Sequence, residues 1–175
     1  MRARGFTLIE LVTGIVVLAI SLTLITTLLF PQARNSVQAV YQVRAVELGQ
    51  SLLNEILSKR FDEASNPNGG TPRCSEQATS CTAPPSLGPE ELTRAEFDDV
   101  DDYNGLTQAG ATIESATGSS LGSLYNGFSL TVTVFYDANQ DGIDDSASGL
   151  YKRIAVTVTT PDGTTVPFVA YRGNY

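Results

Sequence analysis

The stretch RGFTLIELV, residues 4–12, opens the apolar run that decides the fold of this chain. From Phe6 to Phe30 the sequence is almost wholly apolar, and about 20 such residues are enough for a helix to cross a bilayer. We therefore predict a transmembrane helix over residues 6–30. Glu10 is the exception, because an unpaired charge in hydrocarbon is costly. Either it is tolerated at the membrane interface, or its carboxylate has a partner.

The flanks of the apolar run predict its orientation. Arg2 and Arg4 precede it, and positive charges favour the cytoplasmic side of a membrane. A cleavable secretory signal would have a shorter apolar stretch followed by a small-residue cleavage site. This run is longer and has no such site after it, so we expect a membrane anchor with the rest of the chain outside the cytoplasm.

Beyond Pro31 the helical pattern continues as an amphipathic segment over residues 31–60. Its apolar residues recur at steps of three and four, the spacing of one helix face. The predicted stripe consists of Val37, Tyr41, Ala45, Leu48, Leu52 and Ile56. A stripe of this kind needs an apolar surface to cover it.

The last part of the chain, residues 128–175, predicts an antiparallel sheet. FSLTVTVFY at 128–136 and YKRIAVTVTT at 151–160 alternate apolar and polar residues. TTVPFVAYR follows a tight-turn signal, and its Pro167 favours an edge strand. The predicted fold class is α+β: a long N-terminal helical spine, with a transmembrane half and an amphipathic half, packed on a C-terminal antiparallel sheet.

Residues 61–127 are rich in turn-forming residues and predict a variable loop region. Within it, EFDDVDDYNG groups Asp98, Asp99, Asp101 and Asp102. We interpret these carboxylates either as a cation site or subunit contact, or as a solvated acidic loop.

The two cysteines, Cys74 and Cys81, lie in the same loop region. Their spacing is wider than that of a CxxC redox motif, and no second pair completes a zinc site. Outside the cytoplasm we expect a Cys74–Cys81 disulfide. A free or intermolecular thiol pair is the alternative.

The loop YDANQDGIDDSASG, between the first two predicted strands, has the pattern of the start of an EF-hand-like calcium loop. The predicted ligands are Asp137, Asn139, Asp141, Ile143 through its backbone carbonyl, and Asp145. The bidentate Glu that ends such a loop is replaced by Ser148. We predict a Ca²⁺ ion in the loop 137–145; the alternative is a hairpin loop of turn-forming residues without metal.

Composition limits the remaining functions. The chain of 175 residues has no His and a net charge of -8. Without His, most acid–base triads and His-ligated metal sites are excluded. The negative charge disfavours binding to nucleic-acid phosphates. We therefore expect neither an enzyme nor a nucleic-acid-binding protein.

RGFTLIELV resembles the prepilin signature of type IV pilins and type II secretion pseudopilins: a short basic leader ending in Gly, then Phe, a Glu four residues further on, and a hydrophobic helix. The resemblance implies the pilin fold and a leader peptide, residues 1–5, that a prepilin peptidase removes by cleavage between Gly5 and Phe6. It implies an N-methylated Phe6, whose amine pairs with Glu10 of a neighbouring subunit. The helix 6–30 would then form the filament core.

A second resemblance covers residues 45–105. ELGQSLLNEILSKRFDEASNPNGGTPRC and EFDDVDDYNG are similar to the minor pilin D subunit of mannose-sensitive haemagglutinin (MSHA) type pili. This implies a minor pilin, assembled with other major and minor pilins by the inner-membrane platform and placed in an initiation or tip complex. The chain would first be a single-pass inner-membrane protein with a periplasmic C-terminal domain, then part of an extracellular pilus. The alternatives are a type II secretion pseudopilin and a tip-exposed adhesion module.

Overall fold

The computed structural model describes residue 5, residues 7–76 and residues 79–175, without the side chains of residues 28–36. The chain divides into two compact units, Met1–Val40 and Tyr41–Tyr175. Helix α1, Leu8–Leu57, contributes residues to both.

The N-terminal unit contains a helix segment of membrane-spanning length. Among the described residues, Leu8–Thr27 is long and apolar enough to cross a membrane, with a mean hydropathy of 2.5 and none of it buried within the protein. Its hydroxyl groups bond back to the helix, for example Thr13 Oγ1 to the Ile9 carbonyl at 2.9 Å and Ser21 Oγ to the Val17 carbonyl at 2.7 Å. Such bonds satisfy polar groups that hydrocarbon would leave without partners. The segment fits a single-pass membrane anchor.

The C-terminal unit is built on an antiparallel sheet. The described strands are β1 (Thr107–Ala109), β2 (Ser129–Tyr136), β3 (Tyr151–Thr159) and β4 (Thr165–Gly173). They form a four-stranded sheet in the order β1-β2-β3-β4. The register pairs Val132 with Val156 and Val156 with Phe168. Three strands lie where the alternation predicts them, whereas β1 was missed because three residues are too few to show a period of two.

The predicted edge position of Pro167 is confirmed. Pro167 lies in β4, which pairs with β3 on one side only, and it stands opposite Thr157. Proline has no backbone N–H to donate to a neighbouring strand, so an edge strand accommodates it. The short β1 forms the other edge of the sheet.

The core lies between the later half of α1 and one face of the sheet. Because side chains alternate across a strand, every second residue of β2 and β3 points towards the helix. The buried residues that meet in one cluster include Ala45, Leu48, Leu52 and Ile56 of α1, Leu130, Val132 and Val134 of β2, and Ile154, Val156 and Val158 of β3. This arrangement confirms the predicted α+β class.

The predicted helix stripe needs one correction. Val37 is 48% exposed and lies in the N-terminal unit. The stripe that covers the sheet therefore begins at Tyr41, which packs against the core cluster. Periodicity alone could not find this limit, because Val37 fits the helical spacing as well as the residues after it.

Between α1 and β2, the described chain forms short 3-10 helices at Pro84–Ser86, Arg94–Glu96, Asp101–Tyr103 and Gly110–Thr112. An isolated bridge joins Arg60 to Asp99, with the Val100 amide donating to the Arg60 carbonyl at 3.1 Å. This bridge holds the acidic segment 98–102 against the chain that follows α1.

Candidate functional site

The N-terminal site begins just before the helix. Gly5 is exposed and non-helical, whereas Phe6 lies outside the described residues. The Thr7 carbonyl accepts the amides of Glu10 and Leu11 at 3.1 and 3.2 Å, and so starts the first turn of α1. Glu10 stands in that turn, where the helix dipole favours a negative charge.

Glu10 is an exposed carboxylate on an apolar surface. Its neighbours Ile9 and Leu11 are 68% and 57% exposed. No ion pair among the described residues includes Glu10. It lines a shallow concavity of about 380 Å³ with Leu11, Gly14, Ile15 and Leu18. Gly14, one helical turn after Glu10, has nothing within 4 Å of the position of a Cβ atom, so this face can admit another chain close to the carboxylate.

The predicted disulfide is confirmed. Cys74 and Cys81 are bonded, with their Cα atoms 4.7 Å apart, and the alternative of free or intermolecular thiols is wrong. Cys74 is buried in a small cluster with Phe61 and Tyr136. The Asn174 side chain donates to the Cys74 carbonyl at 3.1 Å. The disulfide loop therefore also anchors the C-terminal end of the chain.

A fully buried lysine, Lys152, lies at the centre of a polar network in the C-terminal unit. Lys152 is fully buried in β3, and its Nζ donates to the Phe61 carbonyl at 2.7 Å, to Asp62 Oδ2 at 3.2 Å and to Asp101 Oδ1. The ammonium also lies 4.6 Å from the centroid of the Phe61 ring and 5.3 Å from that of Tyr136. A buried charge needs such compensation.

The interpretation of residues 98–102 as a solvated loop is wrong for three of the four carboxylates. Asp99, Asp101 and Asp102 are buried, and only Asp98 is exposed. Asp99 Oδ1 accepts the amides of Asp101 and Asp102 at 2.8 and 3.2 Å. Burial, followed by the Asp101 carboxylate, raises the pKa of Asp99 to about 9 against the opposing effect of Lys152. Asp99 and Asp102 are turned inward because they cap the backbone of their own turn, whereas Asp101 is turned inward towards Lys152.

Asp102 faces two further carboxylates. Carboxylate oxygens of Glu90, Glu91 and Asp102 lie within 4.8 Å of one another. Burial, and then the neighbouring Asp102 carboxylate, raises the pKa of Glu90 to about 7 and also raises the pKa of Glu91. This cluster joins the loop before Arg94 to the 3-10 helix Asp101–Tyr103.

The predicted calcium loop is held together by hydrogen bonds from backbone amides. Asp137 is buried, and its two oxygens accept the amides of Asp141 and Gly142 at 3.0 and 2.8 Å and the Tyr171 hydroxyl at 2.7 Å. Burial would raise the pKa of Asp137, but the Tyr171 hydroxyl and the loop amides hold it below the usual value. Asp145 Oδ2 accepts the Ala138 amide at 2.6 Å.

The remaining predicted ligands lie on the exposed side of this loop. Asn139, Asp141, Ile143 and Asp145 are all exposed. Gly142 has a φ of +86°, the left-handed conformation expected for the sharp bend. The side chains of this loop do not form one of the groups of three or more ligand residues that converge within 4.8 Å among the described residues. The prediction of Ca²⁺ in 137–145 remains a prediction.

A second buried ion pair, which the sequence analysis did not identify, joins the loops to the helix. Arg94 Nη2 donates to Glu55 Oε2 at 2.7 Å, and Arg94 Nη1 donates to Gln108 Oε1 at 3.0 Å and to the Glu114 carbonyl at 2.6 Å. The Tyr103 hydroxyl donates to Glu55 Oε1 at 2.8 Å. Burial, followed by the Glu55 carboxylate, raises the pKa of Tyr103. These groups line or adjoin a cleft of about 490 Å³ beside α1.

Of the buried cations Lys152 and Arg94, only Lys152 could have been recognised from the sequence pattern. Lys152 has the same parity in β3 as Ile154, Val156 and Val158, so the alternation already placed an ammonium on the inward face. Arg94 gave no comparable signal, because it lies in a loop without periodicity.

Comparison with known families matches the prokaryotic N-terminal methylation motif to residues 1–26. Neither the curated proteins nor the solved structures gave a match to this chain. The matched residues contain the Gly5–Phe6 junction, Glu10 and most of the exposed apolar segment of α1. The chain therefore has a type IV prepilin-like N-terminus over these residues.

Proposed function

We propose that this protein is a minor pilin, a structural subunit of a type IV pilus of the MSHA kind. The observation that carries the proposal is the methylation motif at residues 1–26, which overlaps a helix segment with every apolar side chain facing outward. An apolar surface of that length is stable in a bilayer or inside a bundle of similar helices, but not in water. A subunit that moves from a membrane into a filament would place this apolar surface first in the bilayer and then in the helix bundle.

Processing would create the partner of Glu10. Cleavage between Gly5 and Phe6 by a prepilin peptidase gives a free amine at Phe6, which methylation leaves positively charged. In the assembled pilus this amine would pair with Glu10 of a neighbouring major or minor pilin. A pair buried in this way is weak evidence of stability but can fix the axial register of a subunit. A subunit in the wrong register would leave two charges without partners in an apolar core.

The test compares two Glu substitutions in α1. Glu10→Leu should leave the protein in the membrane fraction but lower its amount in sheared pili at least about tenfold, because it removes one charge of a desolvated pair. Glu47→Gln, an exposed position of the same helix, serves as the matched control and should assemble normally. Mass spectrometry of the N-terminal peptide checks that both variants are cleaved and methylated at Phe6. Normal incorporation of Glu10→Leu would refute the registration role.

Two alternative functions, a type II secretion pseudopilin and an adhesion module, are compatible with the same N-terminus. The location of the protein and the phenotype of its deletion distinguish them from a minor pilin. Immunogold labelling on long surface pili supports the minor pilin, and label confined to the pilus end places it in a tip or initiation complex. If deletion of the gene leaves pili intact but stops secretion of exoproteins, the chain is a type II secretion pseudopilin. If pili without the protein have normal number and length but no longer adhere, the C-terminal domain acts as an adhesion module.

We also propose that the loop 137–145 binds Ca²⁺. Support comes from its oxygen-rich sequence, from the exposed side chains of Asp141 and Asp145, and from the bend at Gly142. Calcium prefers carboxylate and carbonyl oxygens in a flexible shell. In the absence of the ion, the amide bonds to Asp137 and Asp145 would preserve the loop.

The calcium proposal for the loop is tested by the double substitution Asp141→Asn/Asp145→Asn in the full chain in detergent micelles. The variant should lose a calcium-binding event of the parent in calorimetry, since ligand charge sets the affinity of such loops. Asp162→Asn, in the turn between β3 and β4, is the control and should bind as the parent does. Equal calcium binding by parent and loop variant would contradict the proposal.

A further inference from the structure

Three carboxylates from two separate segments converge on the surface of the C-terminal unit. Glu90 and Glu91 come from the loop that precedes the 3-10 helix Arg94–Glu96, and Asp102 comes from the 3-10 helix Asp101–Tyr103. Each offers an oxygen, and these oxygens lie within 4.8 Å of one another. Like charges at this distance repel, so the fold needs something that holds them together.

Two oxygens of this cluster are buried and have no partner among the described residues. Asp102 is 1% exposed; its Oδ2 accepts the amides of Asp98 and Asp99 at 2.8 and 3.0 Å, but its Oδ1 has no hydrogen-bond partner. Glu91 Oε2 is buried in the same way. A buried carboxylate oxygen without a donor is unfavourable. Asp102 thus brings to the cluster a buried carboxylate with one unsatisfied oxygen.

The nearby cations are occupied elsewhere. Arg60 pairs with Glu63 and Asp98, and Lys152 pairs with Asp62 and Asp101. Among the described residues, no ion pair includes Glu90, Glu91 or Asp102. The three carboxylates therefore have no direct cationic partner among the described residues, and the cation near Glu91, Arg60, is bound to its neighbours Glu63 and Asp98.

We infer that Glu90, Glu91 and Asp102 form a binding site for a divalent cation, with Ca²⁺ as the preferred ion. Calcium binds oxygen at about 2.3–2.6 Å, so ligands on opposite sides of one ion stand up to about 5 Å apart. The oxygens of the three carboxylates, all within 4.8 Å of one another, fall inside that span. Mg²⁺ demands a near-ideal octahedron and gives up its waters reluctantly, so an open site of three carboxylates suits Ca²⁺ better.

The proposed site is open on one side and shares no residue with the loop 137–145. Glu90 is exposed, which gives an ion access and leaves room for water ligands, whereas Glu91 is half-buried. A bound ion would tie the loop at 90–91 to the 3-10 helix that carries Asp102. The bound ion would stiffen the acidic segment next to α1. Binding of the ion does not depend on the protein's place in a filament.

The experiment uses the full chain in detergent micelles, stripped of metal with chelator and titrated with CaCl₂ or MgCl₂ up to about 10 mM, roughly tenfold above the weakest extracellular calcium sites. Binding is followed by calorimetry, and stability by the thermal melting temperature. The test variant is Glu90→Gln/Glu91→Gln. Glu96→Gln, an exposed acid outside the cluster, is the matched control, and Asp141→Asn/Asp145→Asn removes any contribution from the other loop.

We expect Ca²⁺ to raise the melting temperature of the parent, since a ligand that binds only the folded state stabilises it, and Mg²⁺ to act more weakly. Glu90→Gln/Glu91→Gln should weaken this binding at least about tenfold, and its melting temperature in chelator should not fall below that of the parent, because the repulsion is reduced. Glu96→Gln and Asp141→Asn/Asp145→Asn should retain the binding. The inference is overturned if the Asp141→Asn/Asp145→Asn variant does not bind Ca²⁺, or if Glu90→Gln/Glu91→Gln binds Ca²⁺ with the same stoichiometry and affinity as the parent.

Discussion

At the scale of single residues, the buried charges of the acidic segment 98–102 are arranged around Lys152. Lys152 is fully buried, and its ammonium contacts the carboxylates of Asp62 and Asp101. Carboxylate oxygens of Asp99 and Asp102 accept hydrogen bonds from backbone amides of the same turn. From the sequence alone, the acidic segment 98–102 resembles a solvated loop. In the structure, three of its aspartates are buried in a network around Lys152.

Removing the charge of Lys152 should be strongly destabilising. Lys152→Met leaves the carboxylates of Asp62 and Asp101 buried without their cation, and breaking a buried pair in this way costs about 3–5 kcal/mol. The measurement is urea unfolding of the C-terminal unit within the full chain in micelles. Arg153→Met, one residue further along β3 and only half-buried, is the control and should cost less than about 1 kcal/mol.

A second variant separates charge from packing at this site. Lys152→Met/Asp101→Asn removes one of the uncompensated carboxylates and should recover part of the lost stability. If Lys152→Met unfolds at the same urea concentration as Arg153→Met, the ammonium is not a structural centre of the unit.

At the scale of elements, the contact between α1 and β4 depends on a residue without a side chain. A Cβ atom added at Gly49 would lie 2.1 Å from Cε2 of Phe168. Gly is unfavourable within a helix by about 1 kcal/mol relative to Ala. Its presence in the C-terminal part of α1 is explained by the close approach of the Phe168 ring, which packs against the core.

Gly49→Ala should therefore destabilise the protein although it improves helix propensity. Overpacking costs about 1–3 kcal/mol, which exceeds the propensity gain of about 1 kcal/mol, so we expect a net loss of about 1 kcal/mol in urea unfolding. The double variant Gly49→Ala/Phe168→Leu should recover stability, because the smaller side chain makes room. Gln50→Ala, an exposed neighbour in α1, controls for propensity alone. A stability gain in Gly49→Ala would show that Phe168 moves aside without cost.

At the scale of the whole molecule, the two units require different surroundings. Leu8–Thr27 exposes its apolar side chains throughout, whereas Tyr41–Tyr175 buries its apolar residues against its own sheet. The Cys74–Cys81 disulfide suits an oxidising compartment. The membrane anchor with a domain outside the cytoplasm that we propose would meet both requirements.

Protease treatment tests this topology. In spheroplasts, protease added from outside should degrade the unit Tyr41–Tyr175, because we place it on the periplasmic side, while a cytoplasmic marker stays intact. Addition of a reductant should speed the digestion, because the disulfide stabilises the fold by limiting the unfolded chain. Full protection in spheroplasts, with digestion only after lysis, would reverse the orientation derived from Arg2 and Arg4.

Sequence patterns predicted the long helix, the three longer strands and part of the site. The alternation of Val132 with Val134 and of Ile154 with Val156 is enough to predict strands, since a period of two belongs to a pleated backbone. The Gly5–Phe6 junction and Glu10 were recognisable because they are local in the chain. Asp102 could not be assigned, because the burial of a carboxylate depends on segments distant in sequence.

The sequence by itself determined the membrane-length helix, the three longer strands and the N-terminal motif, because each is encoded in consecutive residues through length, periodicity or spacing. Only the tertiary structure decided that Lys152 is buried between Asp62 and Asp101, that Arg94 pairs with Glu55, and that Glu90, Glu91 and Asp102 meet. These contacts join segments far apart in the chain. Their energies depend on burial and distance, quantities that exist only once the chain has folded.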